Sequence, residues 1–205
     1  ASTDQTAEII KEYEKQYPHL IKAIYQTENQ YSQGVNVAAI NEKRAAGKYF
    51  ALCEGDDYWT DPNKLQMQLD YMEAHPECSL CVHTGLHLEN GKATESRPSI
   101  GNRNFSVEEI IAGGGDLFDT NTFFCRKDTG NIRPDFYFKT KYSFSDYQLM
   151  IYLALAGDVY YMDKVMSVYR YKTPGSWTSR NIKETEDLRK YHQEVRDVLD
   201  EVDEY

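Results

Sequence analysis

Six residues in unbroken succession, Lys48-Tyr49-Phe50-Ala51-Leu52-Cys53, run directly into Glu54-Gly55-Asp56-Asp57-Tyr58-Trp59. Such a run reads as a strand buried on both faces. Upstream, Gly34 opens a helical pattern through Val37, Ala38, Ile40 and Ala45, which stops at Gly47 as a C-terminal cap. Before it, Ile21 to Tyr25 alternates like a short strand. This strand–helix–strand order predicts an α/β chain with a mainly parallel central sheet between helices, in three layers. The acids then fall just beyond the carboxyl end of a central strand, where open α/β sheets bind ligands.

The remaining pattern agrees with one large domain. Ala7 to Tyr17 is predicted as a helix behind the capping cluster Ser2-Thr3-Asp4, and Pro18 breaks it. Asp61-Pro62 opens another helix, with Leu65, Leu69 and Met72 on one face. Ser79 to Glu89 reads as a strand, Asn90-Gly91 as a hairpin turn and Lys92 to Asn104 as loop. A short helix over Ser106 to Ala112 stops at Gly113-Gly114-Gly115, which lacks the following Lys and Ser/Thr of a phosphate-binding loop. A strand at Thr122 to Arg126, a loop through Pro134, a helix from Ser145 to Ala156 and two short strands near Val159 and Val165 follow. An acidic amphipathic helix from about Ile182 ends the chain, so the expected boundaries are 1–180 for the domain and 181–205 for a helix on or beyond it.

Composition narrows the functions. A formal net charge of -10 over 205 residues does not supply the Lys/Arg clusters that a nucleic-acid partner needs. No apolar run approaches the roughly 20 residues of a membrane span, so a cytoplasmic protein, at most peripheral at the inner face of a membrane, is expected. The four cysteines are expected as free thiols, because the chain is too large to need disulfide stapling. Seventeen tyrosines suit a carbohydrate surface, each ring offering an apolar face and a hydroxyl.

Glu54-Gly55-Asp56-Asp57 is the strongest chemical signal. Adjacent carboxylates on a turn repel unless a cation offsets them, and oxygen ligands suit Mg²⁺ or Mn²⁺. A solvated acidic turn is the plainer alternative. His83 and His87, four apart on a strand, are expected as hydrogen-bonded histidines beside an acceptor cleft rather than as metal ligands, and Asp119 and Asn121 are expected to face the acceptor too.

Beyond these separate features, Ser2-Thr3-Asp4-x-Thr6, Glu28-Asn29, Gly47-Lys48-Tyr49, Glu54 to Trp59, Asp61-Pro62-x-Lys64-Leu65 and Val168-Tyr169-Arg170 occur in an order and spacing that resemble family 2 glycosyltransferases of the GT-A fold. The resemblance covers nearly the whole chain. It implies a nucleotide-diphospho-sugar transferase with Asp56 on the donor ribose, Asp57 on a Mn²⁺ or Mg²⁺ ion, and Asp146, within Ser145-Asp146-Tyr147-Gln148-Leu149, as catalytic base. Tyr169 to Trp177 resembles the loop that closes over the donor, so Arg170, Lys172 and Trp177 are implied donor contacts. Where family members often carry a histidine this chain has Lys172, a phosphate-binding point charge and a poor metal ligand.

The implied activity is inverting transfer of a sugar from a UDP- or dTDP-sugar to a glycan or lipid-linked acceptor in cell-envelope polysaccharide synthesis. A non-catalytic carbohydrate-binding or scaffold remnant is the alternative, and a metal-dependent phosphohydrolase on the same acidic turn is a third class. The family fold begins with a strand, a helix and a second strand, so about 30 to 40 residues are expected to be missing from the front of this chain.

Overall fold

A computed structural model describes residues 3–33, 35, 37–97, 99–127, 145–173, 176 and 185–204. Two compact units divide at Ala45.

The first unit is Ala1–Ala45. Helix α1 (Thr6–Gln16) is followed by a 3₁₀ turn at Tyr31–Gln33 and by α2 (Val37–Arg44). Asp4 opens α1 by accepting from the Thr6 N–H at 3.0 Å. The stretch 21–26 forms no strand. It is tied down by polar groups instead: the Glu14 carboxylate accepts from the Ala23 N–H at 2.9 Å and from the Tyr25 hydroxyl at 2.8 Å. Arg44 donates to the Lys22 carbonyl at 3.0 Å. Side-chain bonds satisfy these backbone groups where a sheet ladder would otherwise do so.

The second unit, Ala46–Tyr205, contains the sheet. Its strands are β1 (Tyr49–Ala51), β2 (Tyr58–Trp59), β3 (Cys78–Glu89), β4 (Lys92–Glu95), β5 (Arg103–Phe105), β6 (Phe124–Arg126) and β7 (Asp158–Arg170). The order is β1-β6-β3-β7-β2, with β4 added to β3 and β5 to β7. Among the described residues only β3 and β7 pair in parallel; the sheet is mixed, not mainly parallel. The expected strand at 48–53 shortens to the half-buried β1, which ends the described sheet and runs antiparallel to β6. Its apolar residues pack on one neighbour, whereas the fully buried central place goes to β3, where Cys78 to Gly85 are all buried.

Among the described residues, four helices cover the sheet: α3 (Lys64–Ala74), α4 (Val107–Gly113), α5 (Ser145–Ala156) and α6 (Thr185–Asp203). Alternation along the strands separates two cores. Leu80, Val82, Cys125, Val159 and Tyr161 pack with Ile110 of α4, Met150 and Leu153 of α5 and Val198 of α6. Cys81, Phe124, Met162 and Met166 face Met72 of α3 on the other side. Helix α3 presents Lys64, Gln68 and Met72 inward and leaves Leu65 exposed, so its buried stripe is rotated from the expected Leu65, Leu69 and Met72.

Several boundaries moved for identifiable reasons. The region 92–104, expected as loop, contributes β4 and β5, both polar edge segments without apolar alternation. The two short strands expected near Val159 and Val165 are one strand, β7, because bulges opposite His83 to Gly85 let it bend without breaking. Asn90 and Gly91 form the hairpin turn with φ of 50° and 76°. A capping box begins α4, the Ser106 side chain accepting from Glu109 N–H and the Glu109 carboxylate from Ser106 N–H. The loop through Pro134 lies outside the described residues.

Candidate active site

The 3₁₀ turn Thr120–Thr122, entered from Asp119 and leading into β6, is the hub of the acidic cluster. Asn121 is fully buried. Its amide nitrogen donates to Asp57 Oδ2 at 2.8 Å and to the Val168 carbonyl at 3.3 Å, and its amide oxygen accepts from Ser167 Oγ at 2.7 Å. The Trp59 indole N–H donates to the Asn121 carbonyl at 3.0 Å. Gln68, from α3, donates to the Thr122 and Cys81 carbonyls, both at 2.9 Å. Thus β2, α3 and β7 all grip one short turn, and Gln68 of α3 links it to β3.

Asp57 is held by two donors. Its Oδ1 accepts from the Arg170 backbone N–H at 2.9 Å while Asn121 bonds Oδ2. Burial raises its pKa, opposed by these two bonds, and the nearby Asp56 and Asp119 charges raise it further. Asp56 is exposed beside it.

Asp146 sits in the first turn of α5. One oxygen accepts from its neighbour Tyr147 N–H at 2.9 Å and the other from Thr120 Oγ1 at 3.3 Å. Desolvation raises the Asp146 pKa, and Asp116 adds to the rise. Glu54 shares Thr120 with it. Although Glu54 reaches solvent, enough protein surrounds its carboxyl to push its pKa up to about 7, with Asp57 and Asp146 contributing. Adjacent residues of one turn therefore touch Asp57 and Asp146 separately: Asn121 the first, Thr120 the second.

The other expected site residues divide into three sets. Asp119 lies at this cluster, accepting from His87 Nε2 at 2.8 Å. Arg170 places its guanidinium 5.4 Å from the centre of the Tyr58 ring. Lys172 is exposed, ion-paired with Glu89 at 3.2 Å and 4.7 Å above the Tyr171 ring. His83 is set apart: it is 1% exposed, its Nδ1 hydrogen-bonds the Thr84 carbonyl at 2.8 Å, and burial lowers its pKa to about 3. A ring so enclosed has no surface for an acceptor, and the fully buried Asn121 likewise supports Asp57 instead of facing one. Trp177 lies outside the described residues.

Sequence reading assigned no role to Thr120, to Glu54 as a titrating group, or to Lys64. Lys64 is 1% exposed, donates to Gln68 at 2.9 Å and lies 4.4 Å from the centre of the Trp59 ring. Desolvation lowers its pKa to about 8. The i,i+4 spacing of Lys64 and Gln68 was the available signal.

The donor set fits a hard divalent ion shared with a diphosphate. Asp57 keeps free lone pairs on two oriented oxygens, and such ions bind through one or two carboxylates plus substrate phosphates. Among the described residues no three His, Cys, Asp or Glu side chains converge as a ligand set of their own. All four cysteines are free thiols, with only Cys53 exposed.

The family model of Glycosyl transferase family 2 matches residues 1–172. Uncharacterized proteins of Mycobacterium tuberculosis and Mycobacterium bovis are 34% identical over 188 residues, a match covering 87% of this chain and 50% of theirs. The chain thus spans about half the length of these curated relatives. Crystal structures of S. aureus TarS share its fold: one superposes with a TM-score of 0.60 at 17% identity, over 83% of this chain and 29% of that one. A second, of TarS 1-349, gives 0.58 at 16%, over 83% and 49%. The architecture is GT-A-like, built on a mixed sheet. The chain belongs to glycosyl transferase family 2.

Proposed function

We propose that this chain carries the donor-diphosphate site and the catalytic base of an inverting glycosyltransferase, using a UDP- or dTDP-sugar and a glycan or lipid-linked acceptor in cell-envelope polysaccharide synthesis. One observation carries the reading: two carboxylates of separate elements, Asp57 and Asp146, are bonded by consecutive residues of one buried turn. A fixed separation between a donor-binding acid and a base is what a single displacement requires.

Asp146 takes the proton from an acceptor hydroxyl as that oxygen forms its bond to the anomeric carbon. The carbon–oxygen bond to the diphosphate breaks on the opposite face, and the leaving phosphate oxygen keeps the electron pair. One displacement inverts the centre. A raised pKa strengthens Asp146 as a base near neutrality. Mn²⁺ or Mg²⁺ bound at Asp57 would offset the charge developing on the leaving diphosphate. Asp56 takes the ribose side. Arg170 and Lys172 supply positive charge at the cleft edge and Trp177 covers the donor, whereas Asp119, expected at the acceptor, has its carboxylate enclosed and bonded to His87. Lys172 can change partners, because an ion pair between half-exposed side chains is weakened by solvent screening.

No described helix is long and apolar enough to cross a membrane, which is compatible with peripheral contact to a lipid-linked acceptor. The transferase domain is taken as 1–180 and 181–205 as a segment packed on it, Val198 of α6 being buried in the core. Titration calorimetry of UDP with Mn²⁺ tests the reading. Saturable heat in the parent and none in Asp57→Ala is expected; equal heats in both would remove its basis.

A further inference from the structure

We infer that His87 is a positioning residue: paired with Asp119, it latches the Thr120–Thr122 turn to β3 and so fixes where Asp57 and Asp146 stand. The inference rests on the proposed function for its catalytic meaning, but the latch itself is a property of the fold.

His87 lies near the end of β3, opposite Tyr169 of β7 and Thr94 of β4. Its ring stacks on Tyr171 at 5.8 Å and meets the Tyr169 edge at 5.4 Å between centroids. Two neighbouring rings and the Asp119 bond therefore fix its orientation. Asp119 immediately precedes the turn, and its backbone carbonyl accepts from the Thr122 N–H at 2.9 Å and from Thr122 Oγ1 at 2.7 Å. Its side chain is 10% exposed. Oδ1 is bonded to His87, whereas the buried Oδ2 has no partner among the described residues. That oxygen lies over Gly85, where a Cβ would come within 2.8 Å of it. Glycine at this point of β3 leaves the space into which the carboxylate presses.

His87 is the bonded partner of this enclosed carboxylate and, when protonated, its counter-charge. Asp119 raises the His87 pKa, with Asp116 and Asp57 adding to the rise and burial opposing it. The other titratable groups around the ring are Tyr169 and Tyr171, with the Glu89–Lys172 ion pair beyond Tyr171; Thr94 on β4 is neutral. When His87 loses its proton, Asp119 keeps a hydrogen bond but loses its counter-charge, in a cluster already crowded with Asp57 and Asp116. The turn then loosens on the side that carries Asn121 and Thr120.

Amide hydrogen exchange on the full chain tests this without reference to turnover. After correction for intrinsic rates, protection of the Thr122, Phe123 and Arg170 amides is expected to fall about tenfold between about pH 6 and about pH 8.5, while Val82 and Tyr161 hold theirs. His87→Gln, which retains a donor without the charge, should show the low protection at both pH values. Asp119→Asn is the second variant, should the first fold poorly, and should also abolish the pH dependence. Protection at the turn that is independent of pH in the parent and unchanged in either variant would overturn the latch. Donor hydrolysis should lose its alkaline decline in His87→Gln. Absence of hydrolysis in the parent at every pH would count against the proposed function, leaving the exchange result to decide the latch.

Discussion

Asn121→Asp replaces one atom type in a buried, fully bonded side chain and leaves its volume unchanged, so no cavity term enters. The parent amide donates to Asp57 Oδ2 at 2.8 Å. In the variant two carboxylate oxygens face each other at that distance, and one must bind a proton. Losing the bond to an ionised group costs about 1.5–3 kcal/mol. Holding one carboxyl protonated at about pH 7, against an unfolded value near 3.9, costs up to about 4 kcal/mol, since each pH unit is worth about 1.4 kcal/mol. The two figures describe the same conflict from different sides, and we expect a loss of about 2–4 kcal/mol at neutral pH. The shared site has a folded pKa above its unfolded one. Its stability contribution is therefore complete below the unfolded value and disappears as pH rises, so the deficit relative to the parent should shrink by up to about 1.4 kcal/mol per unit on going from about pH 7 to about pH 5. Urea unfolding of both proteins across that range measures it. A deficit below about 1 kcal/mol that is flat with pH would refute the hydrogen-bond assignment.

Asp146→Asn should reduce kcat about 10²–10⁴-fold while leaving calorimetric UDP binding intact, since it removes the base without touching Asp57. In Glu54→Gln, any feature of the pH–rate profile near the Glu54 value of about 7 should vanish; a persisting inflection there would assign it elsewhere. Gly157→Ala should destabilise by about 1–3 kcal/mol in urea, because the new methyl would collide with the Glu77 carbonyl oxygen and the backbone must shift. Ser106→Ala removes the capping box of α4 and should cost about 0.5–2 kcal/mol by the same measurement.

Local signals were legible in the sequence where a residue's own chemistry decides the outcome. The Asn90-Gly91 turn, the short helix beginning at Ser106 and the whole of α5, Ser145–Ala156, needed no distant partner to be read. Strand placement needed one. The apolar run at 48–53 fits a central strand by composition, yet a half-buried strand beside β6 uses the same residues, and only the pairing distinguishes them. Ile21 to Tyr25 alternates as a strand would, but the Glu14 carboxylate and Arg44 satisfy its backbone instead. At the site, the acidic pair and Asp146 were visible as carboxylates. Thr120 and Asn121 were not legible as their holders, because a hydrogen bond across 64 positions, such as Asn121 to Asp57, leaves no periodic trace.

The same long-range bonds explain why the acids of this cluster share a direction of shift. Glu54, Asp57 and Asp146 are each raised chiefly by burial, and each is partly relieved by hydrogen bonds from Thr120, Asn121 or the backbone. Neutral donors orient a carboxylate without cancelling its charge. A site built this way is fixed in geometry yet incompletely compensated in charge, so binding a cationic group at Asp57 gains more than it would at a carboxylate already neutralised by an arginine. Lys64 follows the opposite rule nearby. Its charge is enclosed beneath Trp59 with a neutral amide as partner, its pKa falls to about 8, and the indole it packs against anchors Asn121. Contacts thus run from Lys64 through Trp59 and Asn121 to Asp57, and on the proposed reading that carboxylate, held by neutral donors among the described residues, is left to take the ion of a diphosphate.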